Sequence, residues 1–393
     1  ASRAIRSCAP ASSREAPPSS PTCPGRGPPK ARARPTSVPS RRLRLAVDAS
    51  PLAVEPRRGV ARALGFLLDG LATLADTDGV DVVPFTPRPG EGPRTFRRRM
   101  RDEVRLVGFD AWYAPWSAFP DVAVPVVVCV HELPFVRCGP VEGRVRAWAH
   151  RRWLARDVAR AAAIVVPSHA TRDDVLALHP EAAPRVTVVP HGFHPTCVTP
   201  PNAPHGTRGP GHDPPRGADG RAGGIVIGGR SRRKGLDVWA RALAGLTPIV
   251  PWTLVGRPPR GVIARVPREV PLELLDDPDD ADVAARLAAA AVLVYPSRSE
   301  GFGFPPLEAM ACGVPVVASA AGAIPEVCGD AALVVPPGSP DALRDALRSV
   351  LTDRERAAGL VARGYVRARA FPPEAAARSL LKIVRGVVER GPS

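Results

Sequence analysis

The stretch AAVLVYPSRSEGFGFPPLEAMACGVPVVAS, residues 290–319, combines two apolar runs with a glycine loop and a helical segment. The apolar runs, Ala291–Tyr295 and Val314–Ala318, contain no charged residue, which is typical of parallel strands covered on both faces. Pro305 and Pro306 suit the first turn of a helix, because the first N–H groups of a helix have no intrahelical partner. The stretch therefore predicts a strand–helix–strand unit of a doubly wound α/β sheet.

The same alternation recurs along most of the chain. Over residues 143–163, apolar side chains recur at three- and four-residue steps, as on one face of a helix. These side chains are Leu154, Val158, Ala161, Ala162 and Val165. The other predicted strands are Leu43–Val47, Val80–Val83, Ala111–Tyr113, Val124–Val130, Ile164–Val166, Val186–Val189, Ile225–Ile227, Trp252–Val255, Leu272–Leu275 and Leu333–Val335. We therefore expect two doubly wound, Rossmann-like domains that face a central cleft.

Two segments of biased composition divide the chain. Residues 1–42 are rich in Pro, Ser, Ala and Arg and have no apolar periodicity, which predicts disorder. They resemble an organellar transit peptide, although an over-extended translation start is the simpler interpretation. Residues 196–224 are crowded with Pro, Gly, His and Arg, which predicts an interdomain linker with an insertion. The predicted domains are then 43–195 and 225–372, followed by a C-terminal helix over 373–393 that crosses back to the first domain.

The basic charge is concentrated at one end. Of the net charge of +16, residues 1–44 contribute nine, from ten basic side chains and one acid. A nucleic-acid-binding protein is therefore an alternative that depends on the tail, and deletion of residues 1–42 should abolish such binding. The seven cysteines are scattered without a C-x-x-C pair, which indicates neither a zinc site nor a disulfide framework. We expect a reducing, cytoplasmic location.

Two glutamates flank the glycine loop of the opening stretch. Gly301 and Gly303 would let the backbone approach a ligand closely, and free N–H groups with the positive helix end favour phosphate. Glu308, in the first helical turn, could accept from two adjacent ribose hydroxyls, and Glu300 from hydroxyls of a sugar beyond the phosphates. In isolation, the same spacing is also explained by Glu308 favouring its helix N-terminus and by Glu300 lying in a solvated loop.

The longer string resembles the signature of the retaining glycosyltransferase family 4, in LEAMACGVPVVAS (307–319) and GAIPEVCGDAALVVP (322–336). The resemblance extends over about residues 43–390. It implies the GT-B fold, a nucleotide-sugar donor and retention of the anomeric configuration. By this resemblance Glu300 contacts the donor sugar and Glu308 the ribose, within a donor site that also includes Gly301, Phe302 and Gly303.

A basic segment, IGGRSRRKGLDVWARAL (227–243), precedes a predicted helix. By the resemblance, Lys234 binds the diphosphate of the donor. The second cation is either Arg230 or Arg233, because the spacing differs from that of the family. Fixed cations there would stabilise the charge on a departing diphosphate without a metal ion.

Two residues of the first domain are candidates by resemblance. His131, at the end of the strand in VVVCVHELPF (126–135), would lie near the anomeric carbon of the donor and orient the sugar. The alternative is a histidine satisfied within the protein. Gly59 stands where the family has paired glycines near the phosphates or the acceptor. Asp277 and Asp279 form a literal D-x-D, which we interpret as a helix cap rather than a metal site.

The resemblance predicts transfer of a hexosyl group to a hydroxyl of a glycan or lipid-linked acceptor, with no cofactor. GDP-mannose is the preferred donor, because the motifs resemble those of bacterial mannosyltransferases of cell-surface glycans, and a UDP-hexose is the alternative. A nucleotide-sugar epimerase and a sucrose-synthase- or phosphorylase-like enzyme remain alternatives of the same fold. The basic segment Arg97–Arg105 could contact the anionic inner face of a membrane, with Met100, Val104 and Leu106 as its apolar part.

Overall fold

A computed structural model describes residues 41–54, 59–116, 119–139, 143–195 and 223–391. The strands are β1 (Leu43–Asp48), β2 (Val80–Phe85), β3 (Ala111–Ala114), β4 (Val126–Cys129), β5 (Ala163–Val166), β6 (Val186–Val188), β7 (Gly223–Ile227), β8 (Trp252–Val255), β9 (Leu272–Leu275), β10 (Ala290–Tyr295), β11 (Val316–Ser319) and β12 (Ala332–Val335). The α-helices are α1 (Ser50–Val54), α2 (Gly59–Leu74), α3 (Pro93–Val107), α4 (Pro134–Arg137), α5 (Arg144–Arg160), α6 (His169–Leu178), α7 (Leu236–Ala242), α8 (Asp280–Ala289), α9 (Phe304–Ala311), α10 (Ile324–Cys328), α11 (Pro340–Thr352), α12 (Arg354–Ala368) and α13 (Pro373–Arg390).

The strands form two parallel sheets of six strands each. The orders are β2-β1-β3-β4-β5-β6 in the first sheet and β12-β11-β10-β7-β8-β9 in the second. Every predicted strand is present, and the α/β fold class is confirmed. We call residues 41–195 the first lobe and residues 223–372 the second lobe.

Both faces of each sheet are covered by helices, which is why the strands are apolar throughout. Side chains of α2 and α13 pack on one face of the first sheet, and those of α3 and α5 pack on the other. On the second sheet, α9 and α10 cover one face and α7 and α11 cover the other. The two sheets are therefore doubly wound.

The last helix packs on the first lobe although it follows the second in sequence. Leu380, Leu381 and Val384 of α13 are buried in the same cluster as the α2 side chains. A Cβ on Gly70 would lie 2.4 Å from the carbonyl oxygen of Pro373, and one on Gly192 would lie 2.6 Å from the Cα of Pro373. The close approach of α13 to the first lobe therefore requires glycine at both positions.

Two predicted boundaries differ from the structure in a way that changes the element to which residues belong. The helix predicted over 143–163 ends at Arg160, because Ala161 turns to an extended backbone and residues 163–166 enter the sheet as β5. Val165 is thus a strand residue. Residues 223–224, predicted as linker, begin β7, and a Cβ on Gly224 would lie 2.3 Å from the Trp252 ring. Residues 196–222 lie outside the described residues.

The last two residues of the predicted tail form ion pairs with the first lobe. Arg41 lies 3.1 Å from Asp110, which precedes β3, and Arg42 lies 2.7 Å from Asp81 of β2. Of the segment predicted to be disordered, residues 41–42 belong to the described part of the chain and residues 1–40 lie outside it. Within the described ranges, no helix is long and apolar enough to cross a membrane.

Candidate nucleotide-sugar site

The glycine loop follows β10, a central strand of the second sheet. Gly303 caps α9 with φ +101°, a left-handed conformation that favours glycine. Pro305 and Pro306 lie in the first turn of α9, as predicted. The helix begins at Phe304, so Glu308 lies in its second turn and not in the first.

Two glycines of the site allow close backbone contacts. A Cβ on Gly301 would lie 1.9 Å from the carbonyl oxygen of His131, which belongs to the first lobe. A Cβ on Gly322, which has φ +58°, would lie 2.2 Å from the carbonyl oxygen of Glu300. Gly301 therefore lets the two lobes touch, a role different from the predicted ligand approach. The side chain of Phe302 is buried between Phe304 and Phe371, so only its backbone could face a donor.

Glu300 is the centre of a buried charge cluster. Its Oε1 lies 2.7 Å from Lys234 Nζ, and its Oε2 lies 3.3 Å from Arg233 Nη1. Burial alone would raise the pKa of Glu300, but the two cations outweigh it and hold this pKa well below its usual value. Arg230 is exposed. Its charge adds to the effect of Arg257, whose hydrogen bond lowers the pKa of Asp276. Of the two candidate cations, the structure therefore brings Arg233 to Lys234 and leaves Arg230 apart.

A second acid reaches this cluster from the first lobe. Glu132 Oε2 accepts a hydrogen bond from Arg233 Nη1 at 2.8 Å. Burial raises the pKa of Glu132, Arg233 opposes this shift, and the neighbouring Glu300 adds to it. Two cations are thus balanced by two carboxylates across the cleft. Sequence reasoning did not assign Glu132, although its place beside His131 at a strand end was a usable indication.

A short turn positions Lys234. Residues 232–234 form a single 3-10 turn, and Gly235 follows with φ +66°. A Cβ on Gly235 would lie 1.9 Å from the carbonyl oxygen of Pro296, so this turn packs directly on the segment after β10. Asp237 accepts two hydrogen bonds of 2.8 Å from Arg298 and fixes the start of α7 to the same segment. These contacts hold the turn that carries Lys234 against the segment that carries Glu300.

Glu308 is paired with a residue that sequence reasoning did not identify. Its side chain points from α9 toward the first lobe, where Arg62 of α2 forms an ion pair with it. Glu308 is only 2% exposed. Burial raises its pKa, Arg62 lowers it, and Asp280 of α8 raises it. Gly59, the other candidate on α2, is the first residue of this helix and is exposed.

His131 is fully engaged within the first lobe. Its Nε2 lies 2.6 Å from the carbonyl oxygen of Pro115, and its Nδ1 lies 2.9 Å from Nε2 of His191. Because a carbonyl can only accept, Nε2 of His131 donates and its Nδ1 accepts from His191. Burial lowers the pKa of His131 to about 4, so the ring is neutral near pH 7. Contact of this ring with a donor sugar would require one of these hydrogen bonds to be exchanged.

Two further acids have structural roles at the cleft and near it. Glu326 of α10 accepts from the backbone N–H groups of His169 at 3.0 Å and Ala170 at 3.1 Å, at the start of α6 in the first lobe. Asp279 caps α8 by accepting from the N–H of Asp282 at 2.7 Å, as predicted for the D-x-D segment. In the part of the chain that the structure describes, no three His, Cys, Asp or Glu side chains could hold a metal ion together.

Two family descriptions match separate parts of the chain. Residues 223–353 match glycosyl transferases group 1, and residues 59–196 match Glycosyltransferase Family 4. Together they span both lobes.

Among curated proteins, the O-antigen chain mannosyltransferase B of Escherichia coli is 43% identical over 110 residues, which are 28% of this chain and 29% of that protein. A D-inositol 3-phosphate glycosyltransferase of Xylanimonas cellulosilytica is 29% identical over 304 residues, 71% of this chain and 70% of that protein. The chain thus aligns with less than a third of the length of the relatives it matches with the highest identity.

Solved structures share the architecture at low identity. The sucrose-phosphate synthase of Thermosynechococcus elongatus has a TM-score of 0.67 at 21% identity and covers 89% of this chain and 100% of its own. Anabaena Alr3699/HepE in complex with UDP has a TM-score of 0.62 at 17% identity and covers 88% of this chain and 100% of its own. At these identities the likeness is one of fold, the GT-B arrangement of two facing α/β domains. The chain belongs to glycosyltransferase family 4.

Proposed function

We propose that this protein is a retaining hexosyltransferase that uses a nucleoside diphosphate sugar and an acceptor hydroxyl on a glycan or a lipid-linked glycan. The observation that carries the proposal is the buried cluster of Lys234, Arg233 and Glu300 beyond the carboxyl end of β10, with Glu308 in the second turn of the helix that follows. Ligands of open α/β sheets bind at this end of the strands.

Each charged group has a task in this proposal. Lys234 and Arg233 stabilise the negative charge that develops on the diphosphate as its bond to the anomeric carbon breaks. Glu308 accepts from the ribose hydroxyls, and Glu300 accepts from hydroxyls of the transferred sugar. His131 orients the sugar after exchanging a hydrogen bond, and the N–H groups of residues 301–303 face the phosphates.

The acceptor attacks on the face from which the diphosphate leaves, so the anomeric configuration is retained. Its oxygen forms the new bond to the anomeric carbon as the bond to the phosphate oxygen breaks. The hydroxyl proton passes to an oxygen of the departing diphosphate. Closure of the lobes excludes water that would otherwise hydrolyse the donor. The charge of the leaving group is met by fixed cations, and we therefore expect no metal requirement.

GDP-mannose is the donor we propose, and a UDP-hexose is the second candidate. Mannose is supported by the Escherichia coli relative, which is named a mannosyltransferase and is 43% identical over 110 residues. Calorimetric titration of GDP and UDP, followed by product analysis with each sugar donor, tests the choice with and without EDTA. Binding of one nucleotide class, unchanged by EDTA and lost in Lys234→Ala, supports the proposal. A strict manganese requirement contradicts it.

Product analysis also separates the alternatives of the same fold. A nucleotide-sugar epimerase would convert the donor sugar without any acceptor. A sucrose-synthase- or phosphorylase-like enzyme would regenerate a sugar nucleotide or a sugar phosphate when supplied with nucleoside diphosphate or inorganic phosphate. Neither product is expected here.

An anionic membrane is the partner that we propose for one face of the first lobe. Met100 and Val104 of α3 are buried in the core, so the predicted apolar insertion from these two side chains is wrong, and α3 contributes charge through exposed arginines. On the same face of the sheet, α5 exposes Trp148 (60%) and Trp153 (46%) beside further arginines. Exposed tryptophan next to arginine suits the headgroup region of an anionic bilayer.

Cosedimentation with vesicles tests this surface. Wild-type protein should bind vesicles of mixed phosphatidylglycerol and phosphatidylcholine and should not bind phosphatidylcholine alone. The double variant Trp148→Ala, Trp153→Ala should bind several-fold less well while its GDP affinity is retained. Equal binding of the variant would exclude α5 from the contact.

A further inference from the structure

Among the residues that the structure describes, three contacts of charged side chains cross between the lobes. Each involves an acid or a base of the candidate site or of the motif after it. Glu132 pairs with Arg233, Glu326 accepts from the start of α6, and Arg62 pairs with Glu308. The first two end on an arginine or on backbone N–H groups of the opposite lobe. The third differs, because it ends on the acid expected to hold the ribose.

The position of Arg62 is set by packing next to it. Phe66 lies one helix turn after Arg62 on α2, and its ring contacts Phe304 of α9 with centroids 5.8 Å apart. Ala63 and Phe66 share a buried cluster with Leu307 and Met310 of α9. Packing of α2 on α9 therefore places the guanidinium of Arg62 next to Glu308.

Glu308 needs a cation to act as an acceptor. Its carboxyl is buried, and the charged group that faces it from α8 is the acid Asp280, which disfavours its ionised form. Arg62 from α2 is the cation that lowers the pKa of Glu308. A protonated Glu308 would carry one O–H donor and no charge, so it would accept more weakly from two adjacent hydroxyls than the carboxylate does.

We infer that Arg62 is a positioning residue of the nucleotide site, supplied by the first lobe, which keeps Glu308 ionised and oriented for the ribose. This inference rests on the proposed function. It means that the ribose acid is complete only when the two lobes are packed together. Nucleotide recognition and lobe closure are then coupled through one ion pair.

The test measures GDP binding by calorimetry between pH 5.5 and 8.5. In Arg62→Gln, Glu308 loses its cation and takes up a proton at higher pH than in the wild type. At low pH, the Kd of Arg62→Gln for GDP should therefore exceed that of the wild type about tenfold for each unit by which the pKa of Glu308 rises. The ratio of these two Kd values should fall toward one as pH rises. Arg62→Lys, which keeps the charge, should restore most of the wild-type profile.

Two controls separate this role from a merely structural one. The first is 2′,3′-dideoxy-GDP, which lacks the hydroxyls that Glu308 would bind, and its affinity should be the same for wild type and Arg62→Gln. The second is Glu326→Gln, which weakens a different contact between the lobes and should change GDP affinity by one factor at every pH.

The outcomes distinguish the inference from the proposed function. If wild-type protein binds no nucleoside diphosphate, the proposed function fails and the inference fails with it. If wild type binds GDP but Arg62→Gln has the same pH profile, or loses dideoxy-GDP equally, only the inference is wrong. Tighter GDP binding by Arg62→Gln at every pH would also overturn it, because Arg62 would then be blocking the ribose site.

Discussion

Replacement of Gly301 by alanine tests whether the glycine loop serves the contact between the lobes. The new Cβ would lie 1.9 Å from the carbonyl oxygen of His131 and 2.8 Å from the Cβ of Glu132. Real Cβ contacts essentially never fall below 3.0 Å, so one backbone must move by about 1 Å. Because both atoms belong to the first lobe, the displacement opens the cleft beside Glu300.

The expected effects follow from this displacement. Overpacking at a tight site costs about 1–3 kcal/mol in the free energy of unfolding, so the urea midpoint should fall. A misplacement of about 1 Å between reacting groups can lower turnover about 100-fold. Sugar transfer should therefore decrease by about that factor.

Gly65→Ala is the matched control for this change. Gly65 lies inside α2, and a Cβ there would meet no atom within 4 Å. Alanine should stabilise the helix by about 0.5–1 kcal/mol and leave transfer unchanged. If Gly301→Ala showed the urea midpoint and transfer rate of the wild type, the close contact of this loop with His131 would not exist in solution.

Three other outcomes are expected. Lys234→Ala should weaken binding of GDP more than binding of guanosine in calorimetric titrations, while Arg230→Ala, which changes an exposed cation outside the cluster, should leave both within about twofold. Because Glu300 has a lowered pKa, the stability that it contributes is present above about pH 4.5 and is lost as pH falls toward about 2. Acid titration followed by circular dichroism should therefore show a smaller loss of stability for Glu300→Gln than for the wild type over this range. Identical curves would contradict the ion pairs of Glu300 with Lys234 and Arg233. Gly192→Ala, whose Cβ would lie 2.6 Å from the Cα of Pro373, should cost about 1–3 kcal/mol in unfolding free energy by urea denaturation, and a neutral effect would mean that α13 is not packed there.

Much of the fold was predictable because parallel strands buried on both faces have a clear composition. Runs such as Ala291–Tyr295 need no knowledge of their neighbours to be recognised, since both faces must be apolar. Boundaries were less predictable where the same apolar residues suit a helix or a strand, as at Val165. The start of β7 was missed because Gly223 and Gly224 are turn-forming residues, and only the close approach of Pro251 to Gly223 and of Trp252 to Gly224 explains them.

The candidate site was predictable in part, and the parts have different reasons. Lys234, Glu300 and Glu308 belong to local motifs, so their residue types and spacing were enough to select them. Arg233 could not be preferred over Arg230 from the sequence, because both lie within one short segment and only the 3-10 turn decides which one points to Glu300.

The amino-acid sequence alone determined the order of strands and helices, the two-lobed α/β class and the acids and lysine of the motifs, since these depend on residues close together in the chain. The tertiary structure decided which groups of the first lobe complete the site. Arg62 and Glu308 are far apart in the sequence, and so are Glu132 and Arg233. No local pattern therefore encodes their pairing. Such pairs form only when packing of the two lobes buries an acid and leaves a distant cation as its nearest counter-charge.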